Sequence, residues 1–238
     1  NTDAICRLAI QSGTSMVFPP ITMGAHVSVT PNHQVGRVTS LQTRAICAMA
    51  GDFGYELDIT RMSDSEKQQV REHIQLYKKI RPTLQLGRFY RLLTPFTGDA
   101  QETAWEFVSE DGKEVVLMYF KALAQPAAPI CALSMQALKA DAEYELTTYL
   151  PAQRTSMDFG GETRQTLVGQ RFYGDELMYS GLSVEKIDTE DLIVRATARP
   201  ARTTTARVAT TVPTVIARRA RTTALLVHMT TARTARTT

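Results

Sequence analysis

Met23-Gly24-Ala25-His26-Val27-Ser28-Val29 is a nearly continuous apolar or small run, bounded by Pro19-Pro20 before it and by the polar loop Pro31-Asn32-His33-Gln34-Val35-Gly36-Arg37 after it. No strict alternation separates a wet face from a dry one, so the run reads as a strand covered on both sides, the habit of parallel sheets. Its surroundings agree. Upstream, Ile5, Leu8, Ala9 and Ser12 share a helical face, with Asp3 as a cap and Gly13 as a stop, and Thr14 to Phe18 reads as a short strand. Downstream, a helix is expected from about Leu41 to Met49, broken by Gly51 and Gly54, and then a strand from Tyr55 to Ile59. Helices alternating with buried strands imply an α/β arrangement.

Further on the pattern changes. Ser63-Asp64-Ser65-Glu66 has the form of a capping box, and Val70, Ile74, Tyr77 and Ile80 form an apolar stripe. The spacing predicts one long helix over about 64–81, ending before Pro82. Beyond it the period becomes two. Trp105 and Phe107, then Val115, Leu117 and Tyr119 across Glu110-Asp111-Gly112-Lys113, read as a β-hairpin. More strands are expected at Ile130 to Met135, Tyr144 to Tyr149 and Gln165 to Phe172, together a small antiparallel sandwich. The expected organisation is therefore 1–84, 85–194 and a tail, 195–238.

That tail differs in kind. From Arg195 to Thr238 there are 14 Thr, 10 Ala and 9 Arg, with no Gly, no Phe, Tyr or Trp and no acidic residue. Such a composition builds no ordinary core, and a disordered tail is expected. The net charge of +3 is therefore misleading, because the nine tail arginines leave residues 1–194 at −6. An Arg-rich arm can neutralise phosphates, but no aromatic side chain interleaves the arginines to stack on bases, so nucleic-acid binding is not favoured. Residues 1–238 contain no apolar stretch of membrane-spanning length, and the first residues do not resemble a sorting signal. Cys6, Cys47 and Cys131 are far apart and fit no metal spacing; buried thiols in a reducing, cytoplasmic setting are the expected reading, with no cofactor.

Polar and imidazole groups crowd the end of the opening run. His26 and His33 could be metal ligands, a general base, or histidines bonded to loop carbonyls; no carboxylate is spaced to complete a metal set, and composition alone favours the loop role. Trp105, Phe107 and Tyr119 could stack on a sugar, but their spacing favours a core.

Several ordered motifs bear on family membership. They are Asn1-Thr2-Asp3-Ala4, Arg7-Leu8, Ile10-Gln11, Gly13-Thr14-Ser15, the Met23 to Ser28 run, the Pro31 to Arg37 loop, Phe53-Gly54-Tyr55-Glu56-Leu57-Asp58, Phe89-Tyr90-Arg91-Leu92-Leu93, Thr103-Ala104-Trp105 and Gly174-Asp175-Glu176-Leu177-Met178. Together, over roughly residues 1–182, they resemble the C-terminal part of the family 36 glycoside hydrolases, the α-galactosidases.

The resemblance implies the last strands and helices of a (β/α)8 barrel followed by a C-terminal β-sandwich. It implies retaining hydrolysis of terminal α-galactosides of the raffinose or melibiose type, without a metal, by an enzyme with homo-oligomeric relatives. In that chemistry one carboxylate attacks the anomeric carbon and a second carboxyl group acts as acid and then base. The family's nucleophile stands in a Lys-Trp-Asp motif that this sequence lacks. Its acid/base would immediately precede Asn1, leaving Asp3 as the surviving Asp of that motif, either a proton donor or, preferably, a helix cap. Met23, Gly24, His26, Ser28, Asn32 and His33 would wall the sugar pocket, and Glu56 is expected to pair with Arg44 or Arg61. A chain of this kind is expected to be inactive alone. The competing readings are a carbohydrate- or partner-binding sandwich and a nucleic-acid-binding tail.

Overall fold

A computed structural model describes residues 2–98, 101–123, 132–151, 169–183 and 191–199. The expected strand at Ile130 to Met135 and that at Gln165 to Phe172 lie partly outside these residues, and the tail beyond Arg199 lies wholly outside them.

Helix α1 spans Ala4–Thr14 and is capped by Asp3, whose Oδ2 accepts from the Cys6 amide at 2.9 Å. It does not stop at Gly13, and Thr14 to Phe18 is not a strand. Val17 N and Phe18 N instead donate to Thr14 O at 3.1 and 2.9 Å. With no strand paired to it among the described residues, this segment satisfies its amides by winding on from the helix. Strand β1 (Gly24–Ser28) pairs in parallel with β2 (Asp52–Glu56). Between them α2 (Leu41–Met49) is capped by Ser40, which accepts from Thr43 N at 3.0 Å. Strand β2 begins three residues before the expected Tyr55, because pairing with β1 sets its start. Gly54 lies inside the strand rather than breaking the helix, opposite His26.

Helix α3 runs Asp64–Leu86, closed at its start by the expected Ser63–Glu66 capping box. It does not end near Arg81. Pro82 lies inside it. Proline removes one amide donor, but the last turn is held from outside. Thr83 and Leu84 are buried, Thr83 Oγ1 donates to Glu114 Oε1 at 2.6 Å, and the Gly87 amide closes on Thr83 O at 3.0 Å.

The rest is largely one antiparallel sheet. Strands β3 (Arg88–Leu93), β4 (Glu102–Val108), β5 (Glu114–Lys121), β7 (Glu143–Pro151), β8 (Arg171–Tyr173) and β10 (Asp191–Arg199) form it in the order β3-β4-β5-β10-β7-β8. Strands β6 (Ala132–Leu133) and β9 (Leu182–Ser183) form a separate pair, with α4 (Gly174–Tyr179) between β8 and β9. The expected hairpin is present, and Gly112 takes the left-handed φ of 68° that its turn requires.

The hairpin's apolar residues are buried, as their spacing favoured, but on two different faces. Register pairs Trp105 with Met118 and Phe107 with Val116, and these pack with α1, α2 and α3 in one core. Val115, Leu117 and Tyr119 face a second core with Leu133, Leu177 and Leu182. An interior strand has no wet side, so period two does not tell which core a residue joins. The tail boundary also moves: residues 195–199, compositionally part of the tail, complete β10 between β5 and β7. Ala196 supplies the small buried side chain that this central position needs.

A candidate ligand groove beside the parallel pair

Parallel pairing puts Gly24, His26 and Ser28 on the same face of the sheet as Asp52, Gly54 and Glu56, while Ala25 and Val27 are buried toward α2. The first face is small and polar. It borders a groove of about 300 Å³ between β1 and α1, lined by Thr2, Arg7, Gln11, Met23, His26 and Glu56 among others.

Helix α1 shapes this groove through two polar side chains four residues apart. Arg7 donates to His26 O at 3.2 Å and Gly24 O at 3.0 Å, and its Nε donates to Gln11 Oε1 at 2.9 Å. The fork takes backbone carbonyls along the edge of β1 that a neighbouring strand would otherwise pair. Gln11 Nε2 then donates to Cys47 O at 3.1 Å, tying α1 to α2.

At the other end of β1, Arg44 donates to Ser28 O and, at 3.2 Å, to Thr39 O. Burial pulls the Arg44 pKa below its ordinary value, and the Coulombic influence of Glu66 and Tyr55 opposes that. Glu56 is not its partner, nor that of Arg61, which pairs with Asp58 at 3.2 Å. Glu56 instead stands at the groove, its Oε2 3.9 Å from His26 Nδ1, with 69% of its side chain exposed. Arg44 is taken up by the carbonyls of Ser28, Thr39 and Ser40, and Arg61 by the carboxylate three residues before it. Behind β2, Tyr55 Oη lies 3.1 Å from His73 Nδ1; burial raises the tyrosine pKa and lowers that of His73 to about 4.

The structure brings Met23, Gly24, His26 and Ser28 together at the groove. It places the other candidates elsewhere. Asn32 is buried, accepting from the Gln34 and Val35 amides at 3.0 and 3.1 Å and donating to Thr2 Oγ1 at 2.8 Å, so it organises its own loop. His33 is exposed on that loop and does not line the groove. Asp3 is 1% exposed, bonded to the Cys6 amide and to Arg37 Nη1 at 3.0 Å. Among the described residues no three His, Cys, Asp or Glu side chains gather as a metal site. Sequence reading missed Arg7 and Gln11, although two polar residues at i and i+4 on an otherwise apolar helix were a visible signal.

Residues 1–87 match the family model Melibiase, and residues 102–197 match that of the glycosyl hydrolase family 36 C-terminal domain. The chain belongs to glycoside hydrolase family 36. It is 46% identical over 185 residues to alpha-galactosidase AgaA of Geobacillus stearothermophilus, a match covering 77% of this chain and 22% of that enzyme. Alpha-galactosidase 1 of Pediococcus pentosaceus is 48% identical over 129 residues, covering 53% and 17% respectively. The chain therefore spans less than a quarter of the length of these family members. Among solved structures, an AgaA variant in complex with raffinose superposes with a TM-score of 0.71 at 42% identity, over 84% of this chain and 25% of that one. The Lactobacillus brevis α-galactosidase gives 0.73 at 36% identity, over 87% and 26%. No helix among the described residues is long and apolar enough to cross a membrane.

Proposed function

We propose that this chain is the C-terminal part of a retaining α-galactosidase acting on terminal α-galactosides of the raffinose type, and that by itself it binds but does not hydrolyse them. The observation that carries the binding role is the open, small and polar face of the parallel pair. Gly24 leaves room there, and the exposed side chains of His26 and Glu56 offer hydrogen bonds suited to sugar hydroxyls, with Ser28 buried at the inner end of the strand. Arg7 and Gln11 line the opposite, α1 side and tie it to the β1 carbonyls and to α2.

Retaining hydrolysis needs two carboxyl groups about 5 Å apart, one to form the glycosyl-enzyme and one to pass the proton. The Lys-Trp-Asp motif of the family nucleophile is not in this sequence. Asp3 is buried and bonded to an amide and an arginine, which supports a capping and loop-anchoring role rather than proton transfer. A lone carboxylate cannot complete a double displacement.

Thermal melting with and without 1-deoxygalactonojirimycin tests the reading, alongside hydrolysis of a chromogenic α-galactoside. Protection that disappears in His26→Ala and Glu56→Gln, with no hydrolysis, is expected. Hydrolysis by this chain at rates typical of α-galactosidases would overturn the inactivity, and absence of protection would overturn the pocket.

A further inference from the structure

A second cavity, of about 490 Å³, opens between β3 and β6. Tyr90, Leu92, Leu93 and Leu133 give it apolar walls, and the exposed Ser134 and Gln136 give it a hydroxyl and an amide. Arg91 also borders it, but its Nη1 is directed to Ser15 O and Oγ at 3.0 and 3.1 Å, on α1's side of the sheet. The cleft thus combines an aromatic ring, aliphatic surface and neutral polar groups.

Beneath it lies Glu106, opposite Tyr90 in the β3–β4 register and 0% exposed. One carboxyl oxygen accepts from the Gln136 backbone N–H at 2.8 Å; the other has no hydrogen-bond partner among the described residues. Burial raises the Glu106 pKa to about 8, against the opposing pull of the Gln136 amide, so the group is neutral at pH 7. A half-satisfied carboxyl among Ala104, Val108 and Leu117 is a poor choice for stability alone. Its one bond fixes the segment that carries Gln136 to the cleft. Wall and anchor therefore belong to one unit.

We propose that the cleft between β3 and β6 is a second carbohydrate site, taking an uncharged, hydroxyl-rich oligosaccharide against Tyr90 and Gln136, with Glu106 as the positioning residue for the Gln136 wall. A ring face packs on sugar C–H surface, the serine and amide meet hydroxyls, and no fixed charge demands an ionic ligand. The choice of sugar rests on the α-galactoside reading above. The site itself is read at different residues from the groove, so loss of groove binding alone leaves it standing.

The test is a titration of the full chain with raffinose, followed by amide shifts in ¹H–¹⁵N spectra. Shifts at Leu92, Ser134 and Gln136 are expected to saturate, to persist in His26→Ala, and to weaken tenfold or more in Tyr90→Ala and Gln136→Ala. Both replaced side chains lie at the surface of the cleft, and the dispersion of each spectrum reports folding; Ser134→Ala serves if either variant fails to fold. Raising the pH from 7 to 9 should weaken cleft binding severalfold in the parent chain, while Glu106→Gln binds equally at both. Shifts confined to the groove, no shifts at all, or unaltered affinity in the cleft variants would overturn the site. Binding indifferent to pH in the parent chain would remove Glu106 from it.

Discussion

Trp105 Nε1 donates to Ser12 Oγ at 3.1 Å, joining the middle of β4 to the buried face of α1 across 93 residues of sequence. The indole is 1% exposed and packs edge-on to Phe120, so it belongs to a core and not to a sugar platform. This bond connects the helical layer to the sheet at a point where neither partner can turn to water. Ser12→Ala leaves the indole N–H buried without an acceptor, and a loss of about 1–3 kcal/mol is expected in urea unfolding. Trp105→Ala should lose more, about 3–5 kcal/mol, through the cavity it opens.

Glu106 makes stability depend on pH. Its folded pKa of about 8 lies above the ordinary 4.5, so the folded chain keeps a proton that the unfolded chain releases. That contribution is fully present below about pH 4.5 and is lost as the pH rises through 8. The parent chain should therefore lose stability relative to Glu106→Gln over this window, by an amount on the order of a few kcal/mol. Chemical denaturation of both proteins from pH 5 to pH 9 measures the difference.

His73 works in the opposite direction. Burial lowers its pKa from 6.5 to about 4, so the folded chain binds fewer protons than the unfolded one. Its contribution is present above pH 6.5 and is lost as the pH falls toward 4. An imidazole titrating near pH 4 by NMR is the expected signature, together with acid destabilisation that is reduced in His73→Gln.

Gly54 separates the groove from the fold. A Cβ added there would lie 2.9 Å from His26 Cδ2 and 3.4 Å from its Nε2. The imidazole is half exposed and can swing away, so Gly54→Ala should change stability by less than about 1.5 kcal/mol. Ligand protection at the groove should fall in the same variant, because His26 leaves its place beside Glu56. Equal protection in parent and variant would show that His26 does not contact the ligand.

Pro82 interrupts α3 without ending it. Pro82→Ala restores an amide donor within a helix whose flanking turns are already formed. A gain in stability of about 1–2 kcal/mol is expected in thermal or urea unfolding, the helical advantage of alanine being partly offset by the freer unfolded chain.

Much of this structure was legible locally. The caps at Asp3 and Ser63, the limits of α2, and the Gly112 turn follow from side chains acting within a few residues of their own backbone. The run from Met23 to Ser28 announced a parallel strand for the same reason, and the ordered motifs around it were enough to indicate the family. What sequence alone could not decide involves partners far along the chain. Whether Trp105 and Tyr119 share a core depends on register across β4 and β5. Whether Arg195 to Arg199 is tail or central strand depends on β5 and β7 flanking it, a condition that a composition of Thr, Ala and Arg does not reveal. Arg7, Glu56 and Glu106 acquire their surroundings only when β1, β2 and the 132–136 segment are in place. Local hydrogen bonds select the elements; burial and register, which are properties of the assembled layers, assign the side chains their work.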